Sequence, residues 1–247
     1  MDSFESSTPW RISAFRQARD AARGALAAGD RPTLLPTTLL GDLRQLQRDP
    51  STWDVLEVIA ACLRHHEAAL LYLGCDDHVW PITVFPRESL YHSPRDVSHL
   101  GTGAGMARLS LLGVDPPGVR PPGHAMHERV SALARYRPIG ELIWAFTLHG
   151  PRYEVLTEIG GRVAYKVVAS GHRDLPSSLG ALRSAVVRLQ QEAASLADIA
   201  QWPGLSLPRA SRLLNALYLT GALMLSRSHP AANRQRPGLR GLFGRDR

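Results

Sequence analysis

Apolar residues recur along this chain at two spacings, and the alternation between them predicts a series of short helices and strands. Over residues 10–27 the positions Ile12, Phe15, Ala18, Ala22 and Leu26 fall on one helical face, and the pattern stops at Gly29. Such a helix either caps its own domain or docks on another protein. A linker follows at 31–36, then a second short helix at 39–46. Ser51 and Thr52 are placed to cap a third helix, whose stripe is Val55, Val58, Ile59 and Cys62 and which ends near His65. Residues 69–73, 79–85 and 89–92 read as three strands, the first two joined by the turn Gly74-Cys75-Asp76-Asp77. Pro81 has no ladder donor, so the second strand is expected at a sheet edge or bulged at Trp80-Pro81.

From residue 99 to 124 the chain turns glycine- and proline-rich, with GTGAG at 101–105, Pro116-Pro117-Gly118 and Pro121-Pro122-Gly123, and reads as a linker or long loop. A helix over 126–136 is expected next, then one over 138–150 that opens on Pro138. Ile139, Leu142, Ile143, Trp144, Phe146 and Leu148 leave the latter almost no polar face, which marks it as central and buried. Residues 153–159 and 162–169 flank Gly160-Gly161 as a hairpin. A three-residue loop pairs Ile159 with Val163, Thr157 with Tyr165, and Val155 with Val167, keeping the apolar side chains on one face. A helix over 176–191 then carries Leu179, Leu182, Val186 and Leu189 in 3-4-3 spacing, a seam for the module that follows or for a twin in a homodimer.

The most legible stretch is residues 195–227. Ser195 with Asp198 three positions on makes a helix start, and Trp202-Pro203-Gly204 breaks that helix. A second helix runs from Ser206 to Leu219 with Pro208 in its first turn and Ala210, Leu213, Leu214 and Leu217 along a buried stripe. Gly221 stands at its C-terminal end, and residues 222–227 read as the first arm of a β-wing. This order of helix, turn, helix, glycine and strand resembles the winged helix-turn-helix superfamily over the last third of the chain. The expected fold class is therefore α+β, with small helix-plus-β-hairpin units followed by a C-terminal winged-helix module. The expected divisions are residues 1–98, a linker at 99–124, a buried helix with its hairpin at 125–171, the winged helix at 172–227 and a basic disordered tail at 228–247.

Charge sharpens this division. The chain has 247 residues and a formal net charge of +7. Residues 1–171 balance 18 basic against 18 acidic side chains, whereas 172–247 carry 11 basic and 4 acidic ones. Most of that excess follows Ser226, in Arg227, Arg234, Arg236, Arg240, Arg245 and Arg247. Such a tail contacts phosphates or an acidic partner surface, or is simply solvated. The hydrophobic content of 44% is enough for a real core, and no apolar run approaches the roughly 20 residues of a membrane helix. Met1-Asp2-Ser3-Phe4-Glu5 lacks the basic-then-apolar pattern of a secretory signal, and two cysteines are too few for a disulfide framework, so a cytoplasmic location without membrane contact is expected.

Candidate chemistry is sparse. Cys62-x-x-His65 and Cys75-x-x-His78 offer zinc the right donor types, but Cys62 lies on an apolar stripe and the second pair on a polar turn, so core packing is the favoured reading. His124, His127 and Glu128 lack the second helical histidine of the zinc-protease pattern, and GTGAG is followed by no Gly-Lys-Ser/Thr. There is no Gly-x-Ser-x-Gly elbow and no carboxylate pair at a useful spacing. No cofactor, no metal and no enzyme activity are expected. Two readings stay open. In one, the chain is a non-enzymatic bacterial-type cytoplasmic regulator whose winged helix binds DNA: Arg209, Ser211, Arg212 and Asn215 face the major groove, while Arg227 and the tail reach phosphates. In the other, it is a protein–protein interaction adaptor in a signalling pathway and the same module docks on a protein.

Overall fold

A two-residue strand, β1 (Trp10–Arg11), leads directly into α1 (Ile12–Leu26), in a computed structural model that describes residues 10–26, 35–46, 54–97, 105–168, 175–176 and 179–233. Its helices and antiparallel sheets make an α+β fold, divided into two units at residues 1–153 and 154–247. In the first unit α2 (Thr37–Leu46) and α3 (Val55–His65) precede β2 (Ala69–Cys75), β3 (His78–Phe85) and β4 (Leu90–His92). Then come β5 (Ser110–Asp115), β6 (Tyr136–Pro138) and α4 (Ile139–His149). The sheet runs β5-β2-β3-β4-β6, with β1 also on β3.

Each helix is tied down by a physical device. Phe15 of α1 is buried with Leu70, Tyr72 and Val79, so this amphipathic helix covers its own sheet. One turn on, Arg19 lies over the rings of Phe15 and Tyr72 and pairs with Asp115 at 3.4 Å. Asp54, not the expected Ser51-Thr52 pair, caps α3: its Oδ1 accepts the Leu56 and Glu57 amides at 2.8 and 3.4 Å. Ser51 and Thr52 lie outside the described residues. Every residue of α3 from Val55 to Cys62 is buried, Glu57 included, and that charge is met by Arg152 at 3.0 Å. The α4 helix is buried as its pattern predicts, on Ile139, Leu142, Ile143, Trp144 and Phe146.

Pro81 does not make β3 an edge strand. Counting out from the hairpin-closing pair Cys75·His78, Tyr72·Pro81 is a non-hydrogen-bonded pair, so the missing N–H would have pointed away from β2. On that side, among the described residues, β1 reaches only as far as Val79 and β4 begins opposite Thr83. The proline occupies the gap between them.

Three expectations fail for one reason, which is that non-local hydrogen bonds override local pattern. The glycine-rich stretch holds β5, whose Leu111 to Val114 complete the sheet beside β2. The helix expected over 126–136 is instead two 3-10 turns, His127–Arg129 and Leu133–Arg135. There the backbone is tied sideways: Arg120 N donates to Arg129 O, and Tyr136 Oη donates to Arg120 O at 2.5 Å while accepting the Ser131 amide at 2.9 Å. The hairpin over 153–169 does not form. Thr157–Ile159 is a 3-10 turn, and Tyr165 Oη donates to Ile159 O at 2.7 Å. A unit of buried helix plus hairpin at 125–171 is therefore not built: α4 belongs to the first unit, and the surviving strand to the second.

That strand, β7 (Ala164–Val167), is the centre of the second unit's sheet. Helix α5 (Ala181–Gln191), β8 (Ala194–Ser195), α6 (Leu196–Ile199), α7 (Leu207–Leu219) and β9 (Leu223–Ser226) follow, then a 3-10 turn at Pro230–Asn233. The sheet order is β8-β7-β9. The helix starts and stops here match the sequence reading closely. Ser195 and Asp198 form a reciprocal capping box, Ser206 Oγ caps α7, and Gly204 and Gly221 take φ values of +75° and +71°. Leu179, Leu182, Val186 and Leu189 are all buried in this unit, so the seam is internal and not an open dimer face. β9 is paired with β7, which precedes it, and not with a later strand; among the described residues no wing hairpin follows.

Candidate interface of the C-terminal unit

The residues proposed to read DNA separate into two groups. Ser211 and Asn215 are buried, Asn215 completely. Its Oδ1 accepts the Leu156 amide at 2.8 Å and its Nδ2 donates to Glu154 O at 2.9 Å. The side chain thus acts as a strand partner for residues 154–156, and its amide has no edge left for adenine. Both residues leave the proposed base-reading set. The reason is one of position: Ser211 and Asn215 are four apart, and both fall within the buried part of α7.

Arg209, Arg212 and Arg227 stay at or near the surface. Arg209 is exposed and donates from Nη1 to Gly204 O at 2.7 Å, which ties it to the turn before α7. Arg212 is half-buried. Arg227 is exposed just after β9, and its charge acts on the Tyr165 phenol, whose pKa burial pushes up to about 12 against that opposing influence. Arg188 of α5 stacks on Trp202 at 4.4 Å and pairs with Glu192, so it braces the turn.

The C-terminal unit also exposes apolar side chains that the sequence pattern conceals. Leu207 continues the spacing of Ala210, Leu214 and Leu217, which predicts a core position, yet it is 55% exposed and the whole first turn from Ser206 to Arg209 is exposed with it. Val187 of α5 and Met224 and Leu225 of β9 are also exposed. No periodicity signal marks these residues. The only available cue was that β9 has no charged residue among Leu223, Met224, Leu225 and Ser226.

The other candidate groups among the described residues stand apart from one another; Gly101 to Ala104 lie outside the described residues. Cys62 is fully buried, and burial pushes its thiol up to about 12. His65 is hydrogen-bonded to Asp42 at 2.8 Å, and Cys75 Sγ contacts Gly105 O. Among the described residues no three His, Cys, Asp or Glu side chains converge as metal ligands. His124 Nδ1 accepts the Met126 amide in a loop. A shallow apolar cleft in the first unit lies between Leu56, Leu109, Phe146 and Pro151, and its one cation, Arg152, is held by Asp54 at 2.5 Å and Glu57 at 3.0 Å. No described helix is long and apolar enough to cross a membrane. Comparison with protein-family models, with curated proteins and with solved structures finds no match.

Proposed function

We propose that the chain is a non-enzymatic regulatory adaptor of the cytoplasm, whose C-terminal unit works as a winged-helix-type module that docks on a protein. The observation that carries this reading is the engagement of Asn215 with Glu154 and Leu156, which removes the adenine-reading group from α7. The exposed end of that helix offers Leu207 and Pro208 beside a single tethered arginine, Arg209, a mixture suited to a protein surface and poor for base edges.

DNA binding is the second reading, and one observation favours it: between Ile199 and Arg245 the chain has no acidic residue. Arg209, Arg212, Arg227 and the tail would then supply phosphate contacts. Titration of labelled duplexes against salt separates the two. Docking on protein leaves only weak, sequence-independent DNA binding that vanishes by about 150 mM salt and with removal of residues 234–247. A duplex held specifically at that salt and released by Arg209→Ala would overturn the adaptor reading.

A further inference from the structure

Among the described residues the sheet of the C-terminal unit has one covered edge and one open edge. β8 is two residues long and is flanked by the 3-10 turn, whose Ala231 and Ala232 pack on Ala164. At the other edge, β9 is hydrogen-bonded to β7 alone among the described residues. Val168 N donates to Ala222 O, and in an antiparallel ladder this makes Lys166·Met224 a hydrogen-bonded pair and Tyr165·Leu225 and Val167·Leu223 non-hydrogen-bonded ones. The backbone N–H and C=O groups of Leu223 and Leu225 therefore point out from the edge.

The side chains continue the same picture. Leu225 shares its face with the buried Tyr165, yet it is 36% exposed, and among the described residues no strand lies beyond it. Met224, on the opposite face with the exposed Lys166, is 55% exposed. Natural edge strands are commonly guarded by charge, proline or a bulge, and β9 has none of these. The charged residues next to it in register and in sequence have one sign: Lys166 lies opposite Met224, Arg227 follows Ser226, and the chain has no acid from 199 to 245.

We infer that the outer edge of β9 accepts an extended, acidic segment of a partner protein as an added strand, with apolar residues alternating against Leu225, carboxylates on the Met224 face meeting Lys166, and Arg227 adding positive charge at the strand's end. Strand addition of this kind draws affinity from main-chain hydrogen bonds and selectivity from alternate side chains. A second copy of the chain, or the chain's own residues 234–247, would bring arginines to an edge already cationic, so charge selects an acidic partner over both. The inference rests on the docking reading, and it specifies the surface used.

The test uses the full chain and two fluorescein-labelled octapeptides, one alternating Glu and Val, the other Lys and Val. The acidic peptide is expected to bind at least about tenfold more tightly than the basic one. Leu225→Pro removes an N–H that faces outward, not one bonded to β7, and is expected to cost about tenfold or more in peptide affinity with little change in thermal melting. Should that variant melt early, Lys166→Glu with Arg227→Glu leaves the backbone intact and is expected to reverse the peptide preference. Equal binding of both peptides, or no binding, overturns the inference. A dimer abolished by Leu225→Pro, or peptide binding that needs deletion of 234–247, also overturns it by naming another occupant. A protein partner captured at Leu207 without any effect of β9 substitutions sinks the edge alone, whereas specific DNA binding through Arg209 sinks the docking reading itself.

Discussion

Asn215 holds the backbone on both sides of Val155, accepting the Leu156 amide at 2.8 Å and donating to Glu154 O at 2.9 Å from a fully buried position. It fixes the entry into the second unit against α7. Asn215→Ala leaves the buried Leu156 N–H without a partner and is expected to cost about 2–4 kcal/mol in urea unfolding. A side chain reserved for DNA would leave stability unchanged on removal.

His92 gives the first unit a pH dependence. It is completely buried on β4, its ring 5.0 Å from that of Tyr136, and neither ring nitrogen has a hydrogen-bond partner. Burial, aided by the charges of Arg135 and Arg137, lowers its pKa to about 4. The unfolded chain protonates near the ordinary value and the folded one does not, so stability is full above about pH 6.5 and falls as pH drops toward 4. The loss is on the order of 3 kcal/mol by pH 4. Unfolding measured across this range in the parent and in His92→Phe should show that slope in the parent and its absence in the variant.

Arg152 stands between two carboxylates, Asp54 at 2.5 Å and Glu57 at 3.0 Å, and is largely buried. Removing it strands the buried Glu57 carboxylate and the cap of α3. Arg152→Ala is expected to cost about 3 kcal/mol, and Arg152→Ala with Glu57→Gln less than the sum of the two single losses. A double-mutant cycle in denaturant reads that coupling directly, and additive losses would show that the pair does not act together.

Much of the fold was legible where local chemistry decides it. The capping box of Ser195 and Asp198, the glycines at 204 and 221, the stripe of α7 and the β2–β3 pairing are all written in short-range residue choices. What was illegible depends on partners far along the chain. β5 was hidden among glycines and prolines because its identity comes from β2, and β7 was assigned the wrong neighbour because Ala194 and Leu225 lie 29 and 60 residues beyond Tyr165. The candidate site suffered in the same way. Helical spacing placed Asn215 opposite the buried stripe, and only the fold shows residues 154–156 lying there to receive it.

The docking reading is most directly tested inside the native cell, with a photoreactive amino acid at position 207 in the full chain and, as a control, at the exposed Arg183 position. Illumination at 207 is expected to give a discrete adduct that protease destroys and nuclease leaves intact, with none at 183. A nuclease-sensitive adduct at 207 would contradict the assignment of this helix end to a protein partner.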